Sequence, residues 1–147
     1  MTMSRDAKLM SGIILLIIPT IMYGGWTLLG ILTHGSAGAM PGNLKLDETQ
    51  WALWRAGHAH AGVWTMLSVL LQILLDSAEL PTGMVWLSRI CAPLAAVALS
   101  GGFFGIAFSD SFRWVLYLGI VLLLIALLIT GVGLLRGVRS HKQPGTI

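Results

Sequence analysis

The sequence predicts an all-α integral membrane protein: one bundle of four transmembrane helices with both termini cytoplasmic. Three observations carry that reading. Hydrophobic residues make up 56% of the 147 and charged residues only 10%, whereas a soluble domain is about a quarter charged. Mean hydropathy is +0.84. Four apolar runs each reach the roughly 20 residues that a spanning helix needs. In hydrocarbon every backbone polar group has to be satisfied within its own segment, so runs of this length are helices.

The first span runs from about Leu9 to Thr33. Arg5 and Lys8 ahead of it look like the start of a signal peptide. The run is too long for one, and Pro19 and Gly24-Gly25 break it with no clear small-x-small cleavage site. The segment 34–50, HGSAGAMPGNLKLDETQ, is a polar, glycine-rich loop with Pro41-Gly42 as its turn signal. Asp47 or Thr49 suits the cap of the second span, about Trp51 to Leu75. The tight turn DSAELPTG leads to the third span, about Met84 to Phe108. The still shorter SDS at 109–111 makes the third span and the fourth, about Phe112 to Leu135, antiparallel neighbours. Arg5 and Lys8 flank one end of the chain, and Arg136, Arg139 and Lys142 the other. Four spans bring both ends to one side, which the positive-inside rule makes cytoplasmic. Lys45 and Arg113 on the far side are offset by Asp47, Glu48 and Asp110. The expected location is a bacterial cytoplasmic membrane, with lipid as the surrounding partner.

Several function classes fall away. A single cysteine, Cys91, excludes an intrachain disulfide and a multi-cysteine metal centre. No basic stripe interleaved with aromatics speaks for nucleic acid. No span carries paired carboxylates for acid–base work, and no Ser-His-Asp spacing stands out.

The stretch WRAGHAHAGVW, residues 54–64, is the most informative. It carries Arg55, His58 and His60 into the second span, and ionisable residues inside a membrane are rare and usually functional. Residues two apart on a helix differ by about 200°, so the two histidines face nearly opposite ways and do not readily share one metal ion. Ala56, Gly57, Ala59, Ala61 and Gly62 around them suit close helix packing, or clearance for a flat macrocycle. Gly101 and Gly105 form a small-xxx-small packing pair, and Phe103, Phe104 and Phe108 either line a pocket or fill the core. His34 ends the first span on the same side, as a solvated loop residue or a second axial ligand. Trp26, Trp51, Trp54, Trp86 and Trp114 fall near span ends, as an aromatic belt does. A zinc site takes three or four ligands, but haem needs only one axial histidine. Membrane haem sites are built within helical bundles, and Arg55 suits the propionates because arginine pairs bidentately with carboxylates. The residues alone therefore favour a haem-binding membrane bundle. The alternatives are a non-enzymatic b-type cytochrome or haem sensor, six-coordinate through His34, and a cofactor-free accessory subunit.

With those residues in view, the chain resembles the styrene oxide isomerase family. YGGWTLLG, HGSAGAMPGN, WRAGHAHAG and GVRSHK resemble, in order, that family's Gly/Trp segment, its Pro-Gly loop, the opening of its second helix and its basic tail. The resemblance implies a haem b homotrimer that rearranges small apolar epoxides to carbonyl compounds, with ferric iron as Lewis acid. The family's Ala-His-x-Gly ligand histidine matches His60, which the resemblance therefore implies as the iron ligand, while its Trp-to-His spacing fits His58 with Trp54 and makes His58 the alternative. Phe103, Phe104 and Ile106 are then expected on the substrate side. Met66, six residues after His60, stands where the family has a polar asparagine that helps place the substrate, and so joins them in the expected substrate pocket. Ile106 is the nearest counterpart of a family tyrosine late in the third helix.

Overall fold

A computed structural model describes residues 3–34 and 45–140. The Pro41-Gly42 turn, His141 and Lys142 lie outside those residues. Four helices follow in order: α1 Arg5–Leu32, α2 Glu48–Leu74, α3 Thr82–Ile106 and α4 Arg113–Ser140. All four are long and apolar enough to cross a membrane, and there are no strands among the described residues. The chain is a multi-pass membrane protein. Single 3-10 turns, Leu75–Ser77 and Asp110–Phe112, join α2 to α3 and α3 to α4.

The helix starts follow from local chemistry. The Ser4 hydroxyl accepts the amide N–H of Ala7, so α1 begins four residues before the apolar run does. Asp47 opens α2 with a reciprocal capping box. Its carboxylate accepts the Gln50 N–H at 2.8 Å and the Gln50 side chain accepts the Asp47 N–H at 3.0 Å. The Gln50 amide also donates to the Ala107 carbonyl at 2.9 Å, tying the start of α2 to the end of α3. At the short turn before α4, Ser109 supplies the cap and Asp110 pairs with Arg113 at 2.9 Å.

The helices pair in chain order. α3 packs most extensively on α4 and then on α2, while α1 makes its main contacts with α2 alone. Leu71, Cys91, Ala92 and Ala126 form the buried core where α2, α3 and α4 meet. The α3–α4 contact is close enough to involve backbone. A Cβ on Gly102 would lie 2.8 Å from the Leu116 nitrogen, and one on Gly119 would lie 2.7 Å from that of Leu99. The small-residue contact therefore runs through Gly102 and Gly105, which meets Phe112, rather than through Gly101. Gly101 has nothing within 4 Å of its Cβ position, because the face of α3 toward α4 is set one residue further round.

Candidate functional site

Two clefts lie along the seam between α1 and α2, in the half of the bundle away from the termini. The one at the loop end, of about 480 Å³, is lined by Leu32, His34, Glu48, Trp51 and Arg55. Next along the helices lies an apolar cleft of about 450 Å³ between Tyr23, Thr27, Leu28, Trp54, His58 and Phe104, with Thr20 and Gly24 completing it. Glu48, Trp51, Arg55 and His58 follow one face of α2 at helical spacing, which is why the two clefts share a seam.

The two histidines point apart. The His58 ring lies against α1, where a Cβ on Gly25 would sit 2.8 Å from both Cε1 and Nε2. Only a glycine lets the ring edge meet α1 there. No hydrogen bond to His58 forms among the described residues, and it is half-buried in the apolar cleft. Beside it, the Trp54 indole N–H is buried without a partner, its ring held edge-on between Phe104 and Phe108 at 5.8 Å from each. His60 turns to α3 instead. Its ring packs on Phe103 with centroids 4.6 Å apart, and its Nδ1 lies 2.7 Å from the Ala56 carbonyl. A neutral imidazole in that contact donates from Nδ1 and keeps an acceptor lone pair on Nε2.

The other sequence-derived candidates divide between these surroundings. Arg55 is exposed and shares the loop-end cleft with His34, which follows the α1 cap at a left-handed φ of 51°. His34 and His60 are not brought together. Phe104 lines the His58 cleft, and Phe103 covers His60. Ile106, half-buried, closes the last turn of α3. Met66 is 58% exposed on the outer face of α2, away from both clefts. No group of three His, Cys, Asp or Glu side chains suited to a metal ion occurs among the described residues.

A second polar centre escaped the sequence reading. Arg89, two turns into α3, is 3% exposed. Its Nη2 pairs with Asp76 at 2.6 Å, and its Nη1 donates to the Gln72 carbonyl and side-chain oxygen at 3.1 Å each. The Gln72 amide returns a bond to the Arg89 carbonyl at 3.0 Å. Asp76 also accepts the Ser4 N–H and hydroxyl, each at 2.7 Å, so the start of α1 is tied to the α2–α3 turn. One turn of α3 is thus charged and buried, with Ser88 beside it donating to the Ala126 carbonyl of α4. The signal was present as an arginine inside an apolar run. Its partner sits thirteen residues earlier, in what reads as a polar turn.

No family model, curated protein or solved structure matches this chain.

Proposed function

We propose that this chain is a haem b-binding membrane protein of the bacterial cytoplasmic membrane that rearranges a small apolar epoxide to a carbonyl compound. The observation that supports it is the α1–α2 seam, where an apolar cleft bearing one unpartnered imidazole adjoins a polar cleft bearing an arginine. A macrocycle with an apolar body, two carboxylates and one axial position matches that division. His58 is the residue that would hold iron, and Arg55 the one that would pair with propionate. His58 is preferred to His60, the histidine that the Ala-His-x-Gly match implies, because His58 lines open space while His60 is packed on Phe103 and bonded to the Ala56 carbonyl; its spacing from Trp54 also fits the family. As the ring now lies, its Nε2 edge abuts Gly25, so His58 would have to turn from α1 into the cleft to hold iron. Trp54 and Phe104 wall that space with apolar surface. Ferric haem, when bound, supplies a Lewis acid for an epoxide oxygen. The wide apolar face that α1 leaves uncovered is consistent with the homotrimer that the resemblance implies.

The test is an absorption spectrum of detergent-purified protein from haem-supplemented cells, with and without dithionite, for wild type, His58→Ala and His60→Ala. The expected result is a Soret band with a high-spin ferric spectrum that His58→Ala removes and His60→Ala retains. A colourless wild type overturns the haem reading. A low-spin spectrum with sharp reduced bands overturns the isomerase reading in favour of a six-coordinate cytochrome. A high-spin protein then goes to epoxide turnover assays, with styrene oxide as the first substrate.

A further inference from the structure

α1 is packed at its two ends and not between them. Ala7, Ser11 and Ile14 are buried toward its start, and Leu28, Gly30 and Ile31 toward its end. No residue from 15 to 27 is buried. The apolar clefts of the seam lie along this stretch. Thr20, Tyr23, Gly24 and Thr27 line the one at His58, and Ile17 and Ile21 line a further one, of about 260 Å³, over Ala61 and Thr65 of α2. The stretch also holds the weakest point of the helix. Pro19 has no N–H, so the Leu15 carbonyl loses its helical bond. Beside it the Thr20 hydroxyl donates to the Ile17 carbonyl at 2.6 Å, a side-chain bond of the kind that bends helices.

One side chain spans the gap. His58 reaches from α2 until its ring edge meets α1 at Gly25, where a Cβ would lie 2.8 Å from Cε1 and from Nε2. The ring is therefore a spacer, since the α1 backbone comes no nearer to α2 while it is there. With no hydrogen bond among the described residues, it is held by packing alone. The side chain that turns into the cleft to bind is thus the one that sets the distance between the helices. We propose that the middle of α1 is a strap over the ligand cleft and that His58 is its prop. When the ring turns into the cleft, the contact at Gly25 is lost, and residues 15–27 settle toward α2 and onto what the ring holds, bending at Pro19. The ends of α1 stay in place. Ser4 is bonded to Asp76 through its N–H and its hydroxyl, each at 2.7 Å, and Ile31 is buried against the bundle at the other end. Filling the cleft and covering it from the bilayer are in this way one event. That coupling rests on the reading of His58 as a ligand, but the prop belongs to the ligand-free chain and is tested there.

The experiment measures distances by double electron–electron resonance in the haem-free full-length protein in detergent, with Cys91→Ala so that only added cysteines carry nitroxides. One pair, Met22→Cys with Leu124→Cys, joins the middle of α1 to α4. The control pair, Leu9→Cys with Leu124→Cys, joins the start of α1 to the same site. All three side chains are exposed. The expected result is that His58→Ala shortens the first distance by about 2 Å, the range over which side-chain size sets helix spacing, and leaves the second unchanged. His58→Phe keeps a ring against Gly25 without the power to ligate, and holds the wild-type distance. Gly25→Ala presses on the same contact from the other side and lengthens the distance. Pro19→Ala returns the missing N–H and reduces the shortening that His58→Ala causes. Unchanged distances in both His58→Ala and Gly25→Ala overturn the proposal. An equal shift of the two pairs, a His58→Phe distance as short as that of His58→Ala, or a shortening that Pro19→Ala leaves intact overturns it as well. Haem is absent throughout, so these results and the absorption test fail independently.

Discussion

Replacing Asp76 with asparagine removes one charge from the buried network and almost no volume. Arg89 is 3% exposed and Asp76 11%, with 2.6 Å between the charged atoms. At an effective dielectric of about 20, Coulomb's law gives roughly 6 kcal/mol of gross attraction at that distance. Desolvation offsets part of it, and breaking a buried pair by removing one partner costs about 3–5 kcal/mol. The partial exposure of Asp76 argues for the lower end, about 3 kcal/mol. Asparagine keeps one acceptor oxygen for Arg89 and the Ser4 hydroxyl, while its amide nitrogen replaces the oxygen that accepts the Ser4 N–H, so the loss is the charge facing Arg89 together with that bond. In a chain of this size 1 kcal/mol moves Tm by about 2–4 °C, which gives a drop of about 8 °C for Asp76→Asn. The assay is thermal unfolding in detergent followed by circular dichroism. Asp110→Asn is the internal control. Its pair with Arg113 is equally short-range but solvent-exposed, and such pairs contribute about 0–1 kcal/mol. The double variant Asp76→Leu with Arg89→Met should recover most of the loss, as apolar replacements of buried pairs do. If Asp76→Asn is no worse than Asp110→Asn, or the double variant no better than the single, the network does not hold the fold through its charges.

Three further outcomes follow from close contacts and caps. Gly102→Val places a branched side chain against the Leu116 backbone and should lower stability by about 1–3 kcal/mol or more; Gly131→Ala, whose Cβ meets nothing within 4 Å, should leave Tm unchanged or higher. Gly25→Ala should displace the His58 ring and shift its NMR resonances, while those of His60, packed on Phe103 away from α1, stay in place. Asp47→Ala removes the α2 cap, with an expected cost of about 1 kcal/mol and faster hydrogen exchange at the Gln50 amide.

The spans were legible because hydropathy alone decides them, and their ends less so because capping decides those. Asp47 with Gln50 three residues on is a pattern visible in the chain, whereas the start of α1 at Arg5 depends on Ser4 acting as cap. The divergence of His58 and His60 follows from the 100° step of a helix and was readable. Which of them turns to α1 and which to α3 was not, since that depends on the order in which helices pack. The same ignorance of facing put Gly101 in the packing pair with Gly105, where Gly102 is the residue that meets α4, and Met66 among the pocket residues, where its side chain is on the outer face. Arg89 was hidden for a different reason. A buried arginine makes sense only with its acceptors, and those come from the end of α2 and the turn after it, as contacts between segments rather than patterns within one.

The Arg89–Asp76 pair also bears on how the chain enters the bilayer. Arg89 lies two turns into α3, and an unpaired arginine inside a spanning helix opposes insertion, by about 3 kcal/mol at the helix centre and less toward its ends. α3 delivered alone would carry that burden, yet Asp76 and Gln72 precede Arg89 on the chain and leave the ribosome first. The tight turn 78–81 keeps acid and base within reach of each other from the moment of synthesis, which favours entry of the two helices into lipid as one hairpin.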